Sequence, residues 1–161
     1  MVNISHIVPN HWSAILKIQD AVYHDVEPES LTVLKSKWLA SPDTCLVGLD
    51  KHNQVVGYLL AHPWPVGKLP KLHHAVESVN TDNLYLHDLA VCPSARGQGV
   101  AAKLLAHLQQ KSQSGGFNSI SLVAVQNADG FWQKQGFSQH TEAQLCDSYG
   151  DNAQPMLKHL N

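Results

Sequence analysis

Apolar residues recur along the chain first at helical and then at strand spacing. A short extended run, Asn3 to Val8, ends at Pro9. Trp12, Ile15, Leu16, Ile18 and Val22 then form one broad apolar stripe, which predicts a helix over 11–23. Ser30 is placed to cap a second helix, whose stripe is Leu31, Leu34 and Trp38 and which Ser41-Pro42 stops. The period then changes. Thr44 to Leu49 predicts a strand, Asp50 to Asn53 a turn, and Gln54 to Ala61 the returning strand of a hairpin. Pro63 to Asn83 is proline-rich and aperiodic, and a loop of that length is a candidate for function as well as for mere insertion. Leu84 to Val91 is the next strand, closed by Pro93. Gly97 or Gly99 opens a helix to Gln113 with Ala101, Leu104, Leu105 and Leu108 inward, and Gly115-Gly116 ends it. Ser119 to Val125 predicts a buried strand and Ala128 to Gln135 a short helix. The tail carries turn residues at Ser148 to Asn152 and predicts a last strand over 155–160.

Hairpin strands followed by a strand–helix–strand–helix half require a parallel pair, so the expected fold is mixed α/β with an α+β-like order. No repeat or domain boundary interrupts the 161 residues. At 43% hydrophobic the chain is not disordered, and at 15% charged it is not a solvated coiled coil. A formal charge of −2 gives no basic footprint, which argues against nucleic acid and membrane surfaces as partners. No apolar run is long enough to span a bilayer, and Met1 to His6 lacks the features of a signal peptide, so a cytoplasmic location is the expectation. Three cysteines without a Cys-x-x-Cys and eleven scattered histidines without His-Glu-x-x-His predict no disulfide frame and no metal site. The histidines do predict a change in solubility or stability between about pH 7 and 5, since eleven added protons turn −2 into +9.

The informative stretch is Leu89 to Ala102. A strand ends at Val91, and Arg96-Gly97-Gln98-Gly99-Val100-Ala101 opens a helix. Glycines let main chain approach closely, the first helical N–H groups point outward, and the positive end of the helix dipole favours an anion. Arg96 adds a full charge. No Lys-Ser or Lys-Thr follows, so this is not a Walker A loop. Ala102 stands where a dinucleotide fingerprint has its third glycine, and Ser121 where it has its acid. On the glycines alone, a plain strand-to-helix turn remains open.

Leu89-Ala90-Val91-x-Pro93-x-x-Arg96-Gly97-Gln98-Gly99-Val100-Ala101, followed by Leu104-Leu105, resembles motif A of the GNAT superfamily of N-acetyltransferases. Its Arg/Gln-x-x-Gly-x-Gly/Ala core is matched by Arg96, Gly99 and Ala101. Val123-x-Val125-Gln126-Asn127 with Phe131-Trp132-Gln133-Lys134-Gln135-Gly136-Phe137 looks like motif B. The resemblance implies one N-acetyltransferase domain over 1–161. Its sheet would have six to seven strands splayed between the fourth and fifth, flanked by about four helices. It implies acetyl-CoA as cofactor, with the pyrophosphate on Gln98 to Ala101 beside Arg96 and Gly97. The pantetheine would pair with Leu89 and Val91, and Asn127, Trp132 and Lys134 would complete the site. A bulge in the strand would leave an N–H near Ala90 or Val91 for the developing oxyanion.

The implied reaction is direct attack of a primary amine on the thioester in a ternary complex, with a base for the amine's proton. His87 and Asp88 are the candidates, and strand alternation predicts that at most one of them faces the amine. Trp132 stands where many relatives have a tyrosine to protonate the thiolate, and Tyr149 could supply that hydroxyl instead. A catalytically silent acyl-CoA-binding or sensing module on the same fold remains the alternative. Cys92 is a small buried thiol with no histidine–acid pair in its neighbourhood, which argues against an acetyl-cysteine route. The acceptor would be a small-molecule or peptide amine, with Glu27, Glu29, Glu77 and Asp82 as exposed acids near its entrance. Related proteins are often dimers, which allows a homodimer here.

Overall fold

The computed structural model describes residues 2–23, 28–66, 68–77, 79–125, 128–140 and 153–160. In chain order the elements are β1 (Asn3–His6), α1 (Trp12–Val22), α2 (Leu31–Ala40), β2 (Cys45–Leu49), β3 (Val55–Pro63), β4 (Asn83–Val91), α3 (Val100–Ser114), β5 (Ser119–Ala124), α4 (Asp129–Lys134), β6 (Ser138–Gln139) and β7 (Gln154–His159). The seven strands form one sheet in the order β1-β2-β3-β4-β5-β7-β6. Only β4 and β5 pair in parallel among the described residues; the other neighbours are antiparallel. The fold is therefore mixed α/β, as the order of periodicities predicted. The two-residue β6 was not predicted, and β7 slots between it and β5. No helix among the described residues is long and apolar enough to cross a membrane.

Strand alternation gives the sheet two apolar faces. In β3, Leu59 and Ala61 meet α3 through Leu104, Leu105 and Leu108, and Trp132 of α4 joins that core. Tyr58 and Leu60 point the other way, onto Trp12, Ile15 and Ile18 of α1 and Leu34 of α2. Ser30 caps α2, its hydroxyl accepting from the Val33 N–H at 3.3 Å.

Two glycines decide how closely α3 approaches. Gly48 and Gly57 are register partners on β2 and β3. A Cβ on Gly57 would lie 2.9 Å from Val100 Cγ1 and 3.2 Å from the Ala90 carbonyl oxygen, and one on Gly48 would lie 3.1 Å from the same methyl. The pair forms a notch in the sheet that receives Val100, the first residue of α3.

Two departures in β4 create the site. The β4–β5 ladder runs from Asn83↔Ser119 to Leu86↔Leu122 and stops there, so the strands part along the rest of β4. Against β3 the register steps from Leu60↔Asp88 to Ala61↔Leu86, which leaves His87 as the extra residue of a bulge. A bulge in this strand was expected to leave a main-chain N–H near Ala90 or Val91; the bulge itself lies at His87. It also overturns the alternation argument, because inserting one residue flips the side-chain parity. Leu86 and Leu89 pack on the α3 side, while His87 and Asp88 both reach groups on the α1/α2 side.

Candidate active site

Where β4 leaves β5, a cleft of about 200 Å³ opens. Its floor is Leu86 to Leu89. One wall is Leu122, Val123, Val125 and Trp132; the other is Tyr23, Pro28 and Glu29 of the α1–α2 connection, with Leu72 from the long β3–β4 loop. The Cys92 N–H donates to the Val56 carbonyl at 2.7 Å, which fixes the phase of the ladder. Ala90 therefore points its main-chain groups at β3, whereas Leu89 and Val91 point theirs into the gap. Among the described residues the gap thus contains a strand edge without a neighbouring strand, the arrangement that accepts an extended chain carrying amides.

At the far end of that edge α3 begins. Gly97 and Gly99 adopt φ of 83° and 74°, and a Cβ on either would meet no atom of the described residues within 4 Å. No side chain caps the helix, and the Lys103 N–H is the donor to the Gly99 carbonyl, at 3.1 Å. The N–H groups of Val100, Ala101 and Ala102 lie ahead of that first turn and are free of the helical ladder. Arg96, Gly97, Gln98 and Gly99 are exposed. This donor set, with a cation beside it and open space before it, fits a diphosphate. Lys134 is exposed at the end of α4, and Trp132 is buried between Phe131 and Phe137 in edge-on contacts. Asn127 and Tyr149, both singled out in the sequence, lie outside the described residues, as does Glu27.

The opposite end of the cleft is built from buried charge. Glu29 was expected to be an exposed loop acid; its side chain is only 6% exposed, and that of His87 1%. Glu29 Oε1 pairs with His87 Nε2, and Glu29 Oε2 accepts from the His73 N–H at 2.8 Å. Gln19 of α1 holds the Glu29 main chain from both sides: its Oε1 accepts from the Glu29 N–H at 2.9 Å, and its Nε2 donates to the Glu29 carbonyl at 3.1 Å. Burial alone would raise the Glu29 carboxyl. The hydrogen bond and charge of His87, the Lys37 ammonium and the His73 N–H overcome it and hold the group at about 2. Lys37 is itself fully buried and donates to the His74 carbonyl at 3.1 Å. The Val76 N–H donates to Ser36 Oγ at 3.0 Å. The 63–83 loop is thus fastened to α2 and to Glu29.

Asp88 sits beside this pair with both oxygens occupied. The Tyr23 hydroxyl donates to Oδ1 at 2.5 Å and also lies 3.1 Å from the Leu89 carbonyl; the Tyr58 hydroxyl donates to Oδ2 at 2.6 Å. Burial raises the Asp88 carboxyl, and His87 and the two hydroxyls pull it back only in part. Burial and the Asp88 charge push both tyrosines well above their ordinary value, so they remain donors. Of the other acids, Asp82 accepts from Asn118 Nδ2 at 2.8 Å at the start of the parallel pair, and Glu77 is exposed. Cys92 Sγ lies 3.2 Å from Ser94 Oγ.

The structure therefore brings His87, Asp88, Leu89 and Trp132 to one cleft, with Val91 further along the same strand edge, and sets the glycine turn at the start of α3. Sequence reasoning missed Tyr23, Gln19 and Lys37, and misplaced Glu29. A lysine inside an apolar helix stripe was the one available hint.

The chain matches the acetyltransferase (GNAT) family over residues 12–137. No curated protein matches it by sequence. Among solved structures it is similar to Ard1 from Thermoplasma volcanium (17% identity, TM-score 0.78, covering 99% of this chain and 98% of that one). It is also similar to Arabidopsis thaliana Naa50 in complex with the bisubstrate analogue CoA-Ac-MVNAL (14%, 0.72, 98% and 97%). A third is N-acetylglutamate synthase from Neisseria gonorrhoeae complexed with coenzyme A and N-acetyl-glutamate (16%, 0.69, 100% of this chain and 35% of that one). At these identities the likeness is one of fold.

Proposed function

The chain belongs to the acetyltransferase (GNAT) family, and from that membership we propose that it is an N-acetyltransferase that transfers the acetyl group of acetyl-CoA to a primary amine in a ternary complex. The observation that carries this reading is the parting of β4 from β5, which leaves Leu89 and Val91 without a strand partner on that side among the described residues, beside a cleft that reaches His87. When bound, acetyl-CoA supplies the activated acyl group. The N–H groups from Gln98 to Ala101, with Arg96 and Gly97, would hold its diphosphate. Leu89 and Val91 would pair with the pantetheine amides, and Asn127, Trp132 and Lys134 remain candidates for the rest of the cofactor. Val91, not Ala90, has its N–H turned to the gap, so it is the main-chain donor for the carbonyl oxygen.

His87 is the proton acceptor for the amine in this reading. Glu29 fixes the ring and faces the positive charge it acquires. Asp88, with both oxygens taken, positions Tyr23 and Tyr58 and the bulge rather than exchanging protons with the acceptor. Tyr149 remains a candidate acid for the thiolate. The acceptor is an amine of a peptide or a small molecule, since structural neighbours carry one of each kind.

The silent acyl-CoA-binding alternative is favoured by Trp132, whose indole cannot serve as an acid near neutrality. Incubation with acetyl-CoA and a panel of amines and N-terminal peptides separates the two. Release of free thiol together with acetylated product is the expected outcome. Saturable coenzyme A binding without release from any acceptor supports the silent module, and absence of binding overturns both.

A further inference from the structure

If the β4 edge and the wall from Leu122 to Trp132 belong to acetyl-CoA, the acceptor is left the wall opposite: Val22 and Tyr23 at the end of α1, Pro28 and Glu29 after it, and Leu72 from the 63–83 loop. Pro28 is exposed and Val22, Tyr23 and Leu72 are half-buried, so this side opens to solvent. Its polar side chains are committed within the protein. Glu29 gives Oε1 to His87 Nε2 and Oε2 to the His73 N–H, and Gln19 uses both ends of its amide on the Glu29 main chain. The Tyr23 hydroxyl donates to Asp88, and Tyr58 takes the second Asp88 oxygen. Lys37 is fully buried on the His74 carbonyl and is not part of the lining. Among the described residues, no ionised group that lines the cleft is left to pair with a charge on the acceptor.

A carboxylate or a second ammonium carried into this cleft would lose water and gain no counter-ion. An apolar group would instead leave water for the side chains of Val22, Pro28 and Leu72. Leu72 is set in the wall by the two residues that follow it. Glu29 accepts the His73 N–H at 2.8 Å, and Lys37 donates to the His74 carbonyl at 3.1 Å, so a buried anion and a buried cation hold successive residues of the loop. His73 has φ 67°, a left-handed conformation that a non-glycine residue rarely adopts, and these two bonds bracket it. Lys71 and His73, on either side of Leu72, are exposed; among the described residues of the loop, Leu72 alone lines the cleft.

We propose that the acceptor is an amine whose carbon bears an apolar substituent and no second charge, and that Leu72 is the specificity-determining residue, packing with Val22 and Pro28 on that substituent. This rests on the acetyl-transfer reading of the cleft and narrows it to one class of acceptor. Two sources share the chemistry: the N-terminus of a peptide with an apolar first residue, and a small apolar amine. Free amino acids and polyamines are disfavoured, because each brings a charge that the cleft does not answer.

The test compares leucine amide, glycine amide, lysine amide and free leucine at saturating acetyl-CoA, with rates taken per neutral amine because their amines differ in pKa. Glycine amide removes the apolar group, lysine amide adds a cation and free leucine adds a carboxylate. Leucine amide is expected to exceed each of them at least about tenfold in kcat/KM. Leu72→Ala is expected to raise the KM for leucine amide and to remove most of its lead over glycine amide. Stabilisation of the variant by coenzyme A shows that it is folded; where it is not, Leu72→Val carries the same comparison with a smaller effect. A peptide beginning with leucine, set against isoamylamine, distinguishes the two sources, and a lead for either agrees with the shared chemistry. If glycine amide, lysine amide or free leucine matches leucine amide, the inference falls while acetyl transfer stands. An unchanged ratio of leucine amide to glycine amide in folded Leu72→Ala overturns the role of Leu72. If coenzyme A binds and no amine is acetylated, the acetyltransferase reading fails and the inference fails with it.

Discussion

Glu29 keeps its charge against its own burial, and that arrangement carries a signature in pH. Its folded value, about 2, lies below the ordinary 4.5, so as pH falls the unfolded chain takes the proton first. The stability Glu29 contributes is present above about pH 4.5 and lost as pH falls toward 2. His62 works in the same direction at higher pH. Its folded value near 3 lies below the ordinary 6.5, so the unfolded chain is protonated first. Urea melts are expected to show stability falling from about pH 6.5 downward, by roughly 1 kcal/mol within the first unit. His62→Phe is expected to remove that slope; an unchanged slope in the variant would place the effect elsewhere among the histidines. Glu29→Gln keeps an acceptor near His87 but removes the charge that steadies the imidazolium. It is expected to lower kcat about a hundredfold with little change in the KM for acetyl-CoA. The sequence could single out His87 and Asp88 because they stand in the strand just before Leu89-Ala90-Val91. Glu29 and Tyr23 were not, because they meet β4 across 58 and 65 residues of chain and nothing local marks the contact.

At the level of elements, β4 shows what periodicity can and cannot tell. Its apolar run and closing proline marked a strand with nearly its observed ends. The bulge at His87 left no mark, because no glycine signals it and a one-residue register step changes parity without changing composition. The glycine notch was equally hidden, since Gly48 and Gly57 read as ordinary strand glycines until β2 and β3 are paired. Gly57→Ala would drive a methyl into Val100 Cγ1 and toward the Ala90 carbonyl. It is expected to destabilise the fold by about 1–3 kcal/mol and, by lifting the first turn of α3, to weaken coenzyme A binding. Thermal melts and calorimetry on the same variant check both effects. Val100→Ala, which frees the space the methyl needs, is expected to restore part of the lost stability.

Across the whole molecule, the glycine turn before α3 and the His87 end of the cleft, which the proposed reading gives to donor and acceptor, are made of different material. The donor end is main chain: the open edge of β4 and the first turn of α3. Gly99→Glu puts a carboxylate there and places a side chain at φ 74°, in space where a Cβ meets no atom of the described residues. The protein is expected to fold and to lose at least about tenfold in coenzyme A affinity. Coenzyme A at a hundred times its dissociation constant is expected to stabilise the wild-type protein by about 2.7 kcal/mol in ligand-dependent melts, and Gly99→Glu by much less at the same concentration. This end was legible in the sequence because the glycines and the arginine are contiguous. The overall class was legible too, through the switch from hairpin to strand–helix–strand order; the insertion of β7 between β5 and β6 was not, since sheet order depends on a long return of the chain.

The His87 end, which the proposed reading gives to the acceptor, is held together by Gln19, Glu29, Lys37 and the fastened 63–83 loop through shared buried and half-buried bonds. A lineage changing its taste in amines would have to rework ions that also keep the domain folded, whereas the grip on the donor could be tuned without that penalty. Descendants of this sequence should therefore drift freely around the cofactor and switch acceptors only in concerted jumps.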